Sequence, residues 1–141
     1  MSQENVEIVR QFLEDRTAFL RGEATAETFG EHFDPQVEVC WHDKQTYPDT
    51  PQHLRGVSAV VAFSEQYRDG WLDVVTDPLE LTEAPGGGVL ALCRQSARGR
   101  QSGVPIVIHF FEVFTIRGGK VQKGEFFRHR ADALEAAGLS E

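Results

Sequence analysis

The chain has 141 residues, enough for one domain with a core of its own, and 22 Asp and Glu against 14 Lys and Arg give a formal net charge of −8. That balance repels phosphate backbones and anionic lipid, so nucleic acid and membrane surfaces are poor partners. No basic segment leading into an apolar run opens the sequence, no apolar stretch is long enough to span a bilayer, and two cysteines, Cys40 and Cys93, are too few for a disulfide framework; a reduced, cytoplasmic setting is expected.

Ser2 fits an N-cap, and Val6, Val9, Phe12-Leu13 and Phe19-Leu20 follow a 3.6-residue period up to Gly22, which predicts a first helix ending there. Arg16 falls inside this apolar stripe. Either its stem packs at the stripe edge with its head in water, or its head is aimed into a cavity beneath the helix. Thr25 caps a short second helix to about His32, with Phe29 and Phe33 on its apolar side and Asp34-Pro35 as its stop. The first strand is expected over Val37 to Trp41. Val37, Val39 and Trp41 share one face, opposite Glu38, Cys40 and His42. If the strand continues, Asp43 joins the face of Trp41, at the mouth of whatever that face lines.

Lys44 to Gly56 carries two prolines and little periodicity and reads as a loop, with Tyr47 and His53 either as lid residues or as surface. A third helix is expected from Val57 to Trp71, with Val60, Val61, Phe63, Ser64, Tyr67 and Trp71 forming a broad apolar side. From Leu72 the chain is extended. Pro78 restricts its first stretch to an edge or a bulge. The next strand, Val89 to about Arg98, meets its successor through a five-residue loop that would place Leu90 opposite Glu112.

Val104 to Arg130 reads as a hairpin. Ile106 to Ile116 is dense in β-branched and aromatic residues, and Gly118-Gly119 suits a type I′ turn, in which both central residues need positive φ. Glu112 is the one acid in this run. A lone buried carboxylate costs several kcal/mol, so Glu112 must meet a partner, a ligand or a polar cavity. A two-residue turn brings Glu112 near Glu125 and aligns Phe127 with its face, so that one of two close carboxyls would serve as general acid. A three-residue turn presents Phe126 and Arg128 instead, and Arg128 could neutralise Glu112. On either turn His109, Phe111 and Val113 alternate away from Glu112, an apolar outer face that predicts dimerisation. Ala131 to Leu139 is a short helix or a frayed tail.

Helices segregated from a meander of antiparallel strands define the α+β class, with a conical cavity between the helices and a curved sheet. Metal chemistry is not expected. His109 and Glu112 are three apart on a strand and face opposite sides, and no HExxH is present. No phosphate loop, dinucleotide fingerprint or nucleophile elbow occurs, so no cofactor is expected either.

Six stretches together resemble the nuclear transport factor 2-like superfamily, in its SnoaL-like branch. They are ENVEIVRQFLE, HFDPQVEV, LRGVSAVVAF, RGRQSGV, HFFEVFTIRGGKVQKGEFF and ADALEAAGL, in that order across nearly the whole chain. The resemblance implies a cone-shaped α+β barrel with a deep apolar pocket, in a homodimer. It does not imply one activity, since fold is a poor guide to function. In ketosteroid isomerase-like relatives a tyrosine, a base and an oxyanion acid act together. Their positions fall here on Asp15, Val39 and Glu112, and only Glu112 is kept in kind, which argues against steroid isomerisation. Epoxide hydrolase-like relatives use two acids bridged by an arginine, and Glu112, Arg16 and Asp43 have those types. Many SnoaL-like relatives carry histidine where Glu112 stands. The sequence therefore predicts a pocket for a small, mostly apolar, oxygen-bearing molecule. Glu112, Arg16 and Asp43 would be catalytic, and Trp41, Tyr47, Phe114, Phe127 and Arg128 would hold the ligand. The pocket would serve either an enzyme or a non-catalytic binding or dimerisation module.

Overall fold

The structure is a computed structural model, and it describes residues 2–42 and 53–140. Helix α1 is Ser2–Leu20, and Gly22, with φ of 77°, lets the chain turn out of it. Helix α2 is Ala26–Gly30, its first turn closed by the Thr25 hydroxyl, which accepts from the Thr28 amide. Strand β1 is Phe33–Trp41, so the strand takes in Asp34-Pro35 and starts four residues before the sequence expectation. Strand β2 is His53–Arg55, helix α3 is Val57–Gly70, and strand β3 is Trp71–Glu83. Strands β4 (Val89–Gly99), β5 (Pro105–Arg117) and β6 (Lys120–Phe127) follow, and α4, Arg130–Ala137, closes the described chain.

The six strands form one mixed sheet in the order β2-β1-β6-β5-β4-β3. Only β1 and β6 run parallel; the other neighbours are antiparallel. Strand β3 lies at the edge, and its pairing with β4 shifts at Pro78, where a ladder donor is missing. The first three helices share the sheet face that carries Val39, Phe110 and Phe114, and the main core lies between them. Phe12, Phe19, Phe29 and Phe33 pack together in it, with Phe19 and Phe29 stacked at 4.7 Å and Phe29 and Phe33 edge-on at 5.1 Å. Helix α4 covers part of the opposite face, where Ala133 and Ala137 pack with Leu90, Val113 and Phe127.

Two registers decide what faces the core. Ala91, not Leu90, lies opposite Glu112 on β4, one residue from the expected pairing, because the β4–β5 ladder closes at Arg98 and Pro105. On β6 the turn is the two-residue one, Arg117 opposite Lys120, with φ of 56° at Gly118 and 77° at Gly119. The ladder then slips: Ile116 pairs with Val121, but Thr115 pairs with Lys123, leaving Gln122 as the extra residue of a bulge. One extra residue exchanges the faces of everything beyond it. Glu112 therefore faces Phe126, the residue expected only from a longer turn.

Candidate functional site

Four residues after Phe12, Arg16 projects from α1 toward the sheet. Its Nη1 donates to Glu112 Oε2 at 3.0 Å and its Nη2 to Oε1 at 2.9 Å, a two-pronged pair that occupies both carboxylate oxygens. The side chains are 12% and 3% exposed, so the pair is inside the protein. Its surroundings are aromatic. The guanidinium carbon lies 5.3 Å from the Phe12 ring centre and 5.9 Å from that of Phe126, within cation–π range. Small neighbours make the room: Ala91 is the cross-strand partner of Glu112, and a Cβ added at Gly124 would come to 3.4 Å from Glu112 Oε2.

Burial and charge oppose each other here. Burial pushes the Glu112 carboxyl above the usual carboxylate range, and the Arg16 charge and hydrogen bonds pull back only part of the way. Burial likewise opposes the Arg16 charge, but Glu112 outweighs it and holds the guanidinium firmly protonated. Behind the pair on β4, burial pushes the Cys93 thiol up to about 12, so it stays a neutral thiol.

The pair opens onto a cavity of about 140 Å³ between α1, α3 and the sheet. Trp41, Phe63, Phe110, Phe114 and Phe126 give it apolar walls, with Trp41 stacked on Phe126 at 5.2 Å. A void of roughly 150 Å³ takes one benzene ring, so this one accepts about a ring before any side chain moves. A second polar group lies on the wall. Thr76 Oγ1 donates to Gln95 Oε1 at 3.1 Å, which turns the Gln95 amide nitrogen toward the Tyr67 oxygen, to which it donates. The Ser64 hydroxyl also lines the cavity but donates to the Val60 carbonyl of its own helix at 3.0 Å.

The structure thus brings together Glu112, Arg16, Trp41 and Phe114 from the residues singled out in the sequence. Asp43 and Tyr47 lie outside the described residues. Phe127 and Arg128 are not in the cavity. The Gln122 bulge puts Phe127 on the outer face, stacked on His42 at 4.6 Å and packed under α4, and Arg128 is exposed. Glu125 is also turned outward, 3.1 Å from His42, so no carboxyl pair forms with Glu112. His53 is exposed and bonds Glu38 at 2.8 Å; its neighbour Leu54 reaches the cavity instead. Tyr67 and Gln95 were not foreseen as site residues. Gln95 had a visible mark: it alone is polar in the inward series Val89, Ala91, Cys93, Gln95, Ala97. Among the described residues no three His, Cys, Asp or Glu side chains are grouped to hold a metal. No helix among them is long and apolar enough to cross a membrane.

A curved mixed sheet wrapped on one face by three helices is the fold of solved nuclear transport factor 2-like structures. Solved structures with this fold align over almost the entire chain. A candidate SnoaL-like polyketide cyclase from Jannaschia sp. CCS1 is 17% identical, with 100% of this chain and 96% of that one aligned at a TM-score of 0.74. A candidate isomerase from Bacillus subtilis is 15% identical over 96% of both chains, at 0.73. TerC, co-crystallised with polyporic acid, is 17% identical over 95% of this chain and 97% of its own, at 0.71. No family model and no curated protein matches the sequence.

Proposed function

We propose that this protein binds a small, mostly apolar molecule carrying one or two oxygens in the cavity, and that Glu112 and Arg16 act on it by acid/base chemistry of the isomerase, cyclase or epoxide-hydrolase-like kind. The observation that carries the reading is the two-pronged Arg16–Glu112 pair, buried yet lining an aromatic cavity. In this role Glu112, with its raised pKa, moves a proton, and Arg16 stabilises the negative charge that develops on a ligand oxygen. Fold neighbours named as a candidate polyketide cyclase and a candidate isomerase fit this class of reaction, and one co-crystallised with polyporic acid fits an oxygen-bearing ligand. Binding without turnover is the second reading. It is favoured by the engagement of both Glu112 oxygens and by the lack of a second carboxyl among the described lining residues, since catalysis needs two titratable groups within reach of one ligand atom.

Native mass spectrometry of freshly purified protein is expected to show a co-purified or added ring-sized ligand. In the acid/base reading Glu112→Gln keeps binding and lowers turnover by about 100-fold or more. Equal turnover in the variant would remove Glu112 from the chemistry, and a bound ligand with no turnover by the wild type would leave the binding reading alone. The unpaired Cys40 and Cys93 fit a reduced, cytoplasmic setting. The acidic charge speaks against nucleic-acid and anionic-membrane partners, and the exposed apolar residues of the outer sheet face fit a homodimer.

A further inference from the structure

We infer that the cavity takes its ligand as a weak oxygen acid that enters with its proton, an enol, phenol or carboxylic acid on an apolar body, and that Glu112 accepts this proton while Arg16 passes from Glu112 to the ligand's oxyanion. This rests on the ligand-binding reading above and adds the ligand's class and protonation state.

The argument is one of charge balance. Among the described residues that line the cavity, Arg16 and Glu112 are the only charged ones, and together they sum to zero. The remaining surface is mostly aromatic and aliphatic, where an uncompensated charge costs several kcal/mol. A permanent anion would leave the site at −1 and a permanent cation at +1. A neutral molecule without an acidic proton leaves the pair intact, so it receives only a side bond from a guanidinium already engaged twice. An acid that arrives protonated does better. Its O–H bond breaks and an O–H bond forms on Glu112. The two N–H donors of Arg16 turn from the Glu112 carboxylate to the new oxyanion, and the site stays neutral throughout.

Two other titratable side chains face the pair. Strand β4 presents Cys93, held as a thiol with its pKa pushed up to about 12, and α3 presents Tyr67. Strand β6 offers Gly124 and Phe126, β1 offers Val39 and Trp41, and β2 offers Leu54, with nothing to titrate. On α1 the neighbouring Asp15 is bound to His32 at 2.7 Å and to Gln11 at 3.0 Å, away from the cavity lining. Burial has already raised the affinity of Glu112 for a proton, so the transfer follows the direction in which the protein biases it.

Three one-ring probes test this on the wild-type protein: 4-nitrophenol, whose ionised form absorbs at longer wavelength, 4-nitroanisole, which has no acidic proton, and benzenesulfonate, a permanent anion. Bound 4-nitrophenol is expected to absorb as the phenolate. Its affinity, counted on total ligand, should fall about tenfold per pH unit above the phenol's own pKa, because only the protonated ligand carries the required proton. Benzenesulfonate should bind about 100-fold more weakly than 4-nitrophenol or not at all. In Glu112→Gln the proton acceptor is gone and Arg16 alone neutralises an anion. Affinity for 4-nitrophenol should then rise with pH and level off, and benzenesulfonate should bind. A bound probe that absorbs as neutral phenol, a pH-independent affinity, or benzenesulfonate within tenfold of 4-nitrophenol on the wild type overturns the inference. Binding of 4-nitroanisole alone would overturn it and leave the apolar-pocket reading standing; if none of the three binds, both fall.

Discussion

Arg16 and Glu112 come from α1 and β5, 96 residues apart in sequence, and each makes the other tolerable. Glu112 was legible as a special residue, because an acid among Phe111, Val113 and Phe114 has no cheap dry solution. Its partner was not decidable. Whether a residue in an apolar stripe points out or in depends on how the helix rolls on the sheet, and that is set by the packing of Phe12 and Phe19 against Phe29 rather than by spacing along α1. Removing the cation from such a pair is far more harmful than the pair is stabilising, since the carboxylate remains buried alone. Arg16→Met should therefore cost about 3–5 kcal/mol at neutral pH. The pH dependence follows from the raised pKa of Glu112. A carboxyl whose folded pKa lies above its unfolded one adds stability below the unfolded pKa and loses it as pH rises through the folded pKa. Without Arg16 that rise is larger, so the variant should be closest to wild type in acid and weakest in base, and Arg16→Met with Glu112→Gln should recover most of the loss. Urea unfolding at about pH 5 and about pH 8 reads this directly. A cost below about 0.5 kcal/mol at both would show that the pair carries no such burden.

At the scale of the element, the terminal hairpin shows what pattern reading captures and what it misses. Its strands, its Gly118-Gly119 turn and the turn type all follow from composition, because positive φ at two successive positions favours glycine. The bulge at Gln122 leaves no such mark: a Gln flanked by Val121 and Lys123 looks like any edge of a strand. Yet this one residue moves Phe126 into the cavity and Phe127 under α4, and with them the two aromatic walls they build. The same ambiguity of a single residue separates Leu90 from Ala91 as the neighbour of Glu112. Two deletions test the device. Losing Gln122 removes the extra residue and keeps every partner from Lys123 to Phe127, so it should cost no more than about 1–2 kcal/mol and preserve ligand binding. Losing Glu125 instead forces Phe126 outward or Lys123 inward. It should cost several kcal/mol and abolish binding. Equal urea midpoints for the two deletions would mean that the bulge does not set the register.

The whole molecule has a full face and a partly bare one. The concave side of the sheet is spent on α1, α2, α3 and the cavity. On the outer side α4 buries Val113 and Phe127, and Arg130 lies 5.3 Å over the half-buried Phe111 ring, so of the patch of His109, Phe111 and Val113 read from the sequence only His109 stays fully exposed. Beyond α4 the apolar surface is further along: Val107 is 59% exposed, Val104 57% and Leu79 46%. Val107 stands on the outer face of β5 opposite Ser96 of β4, with Val75 of β3 next in the row. Two valines on either side of a small serine, with none of the described helices packed over them, suit a second copy of the same face better than they suit water. The homodimer is therefore expected to centre on Val107 and not on Val113. Sedimentation at micromolar concentration should show a dimer, and Val107→Asp, which buries a carboxylate against its symmetry mate, should weaken association at least about tenfold while leaving the monomer folded. Val113→Asp would instead damage the α4 contact and unfold the chain before it affected assembly. A wild-type protein that stays monomeric, or a Val107→Asp dimer of undiminished strength, would place the interface elsewhere.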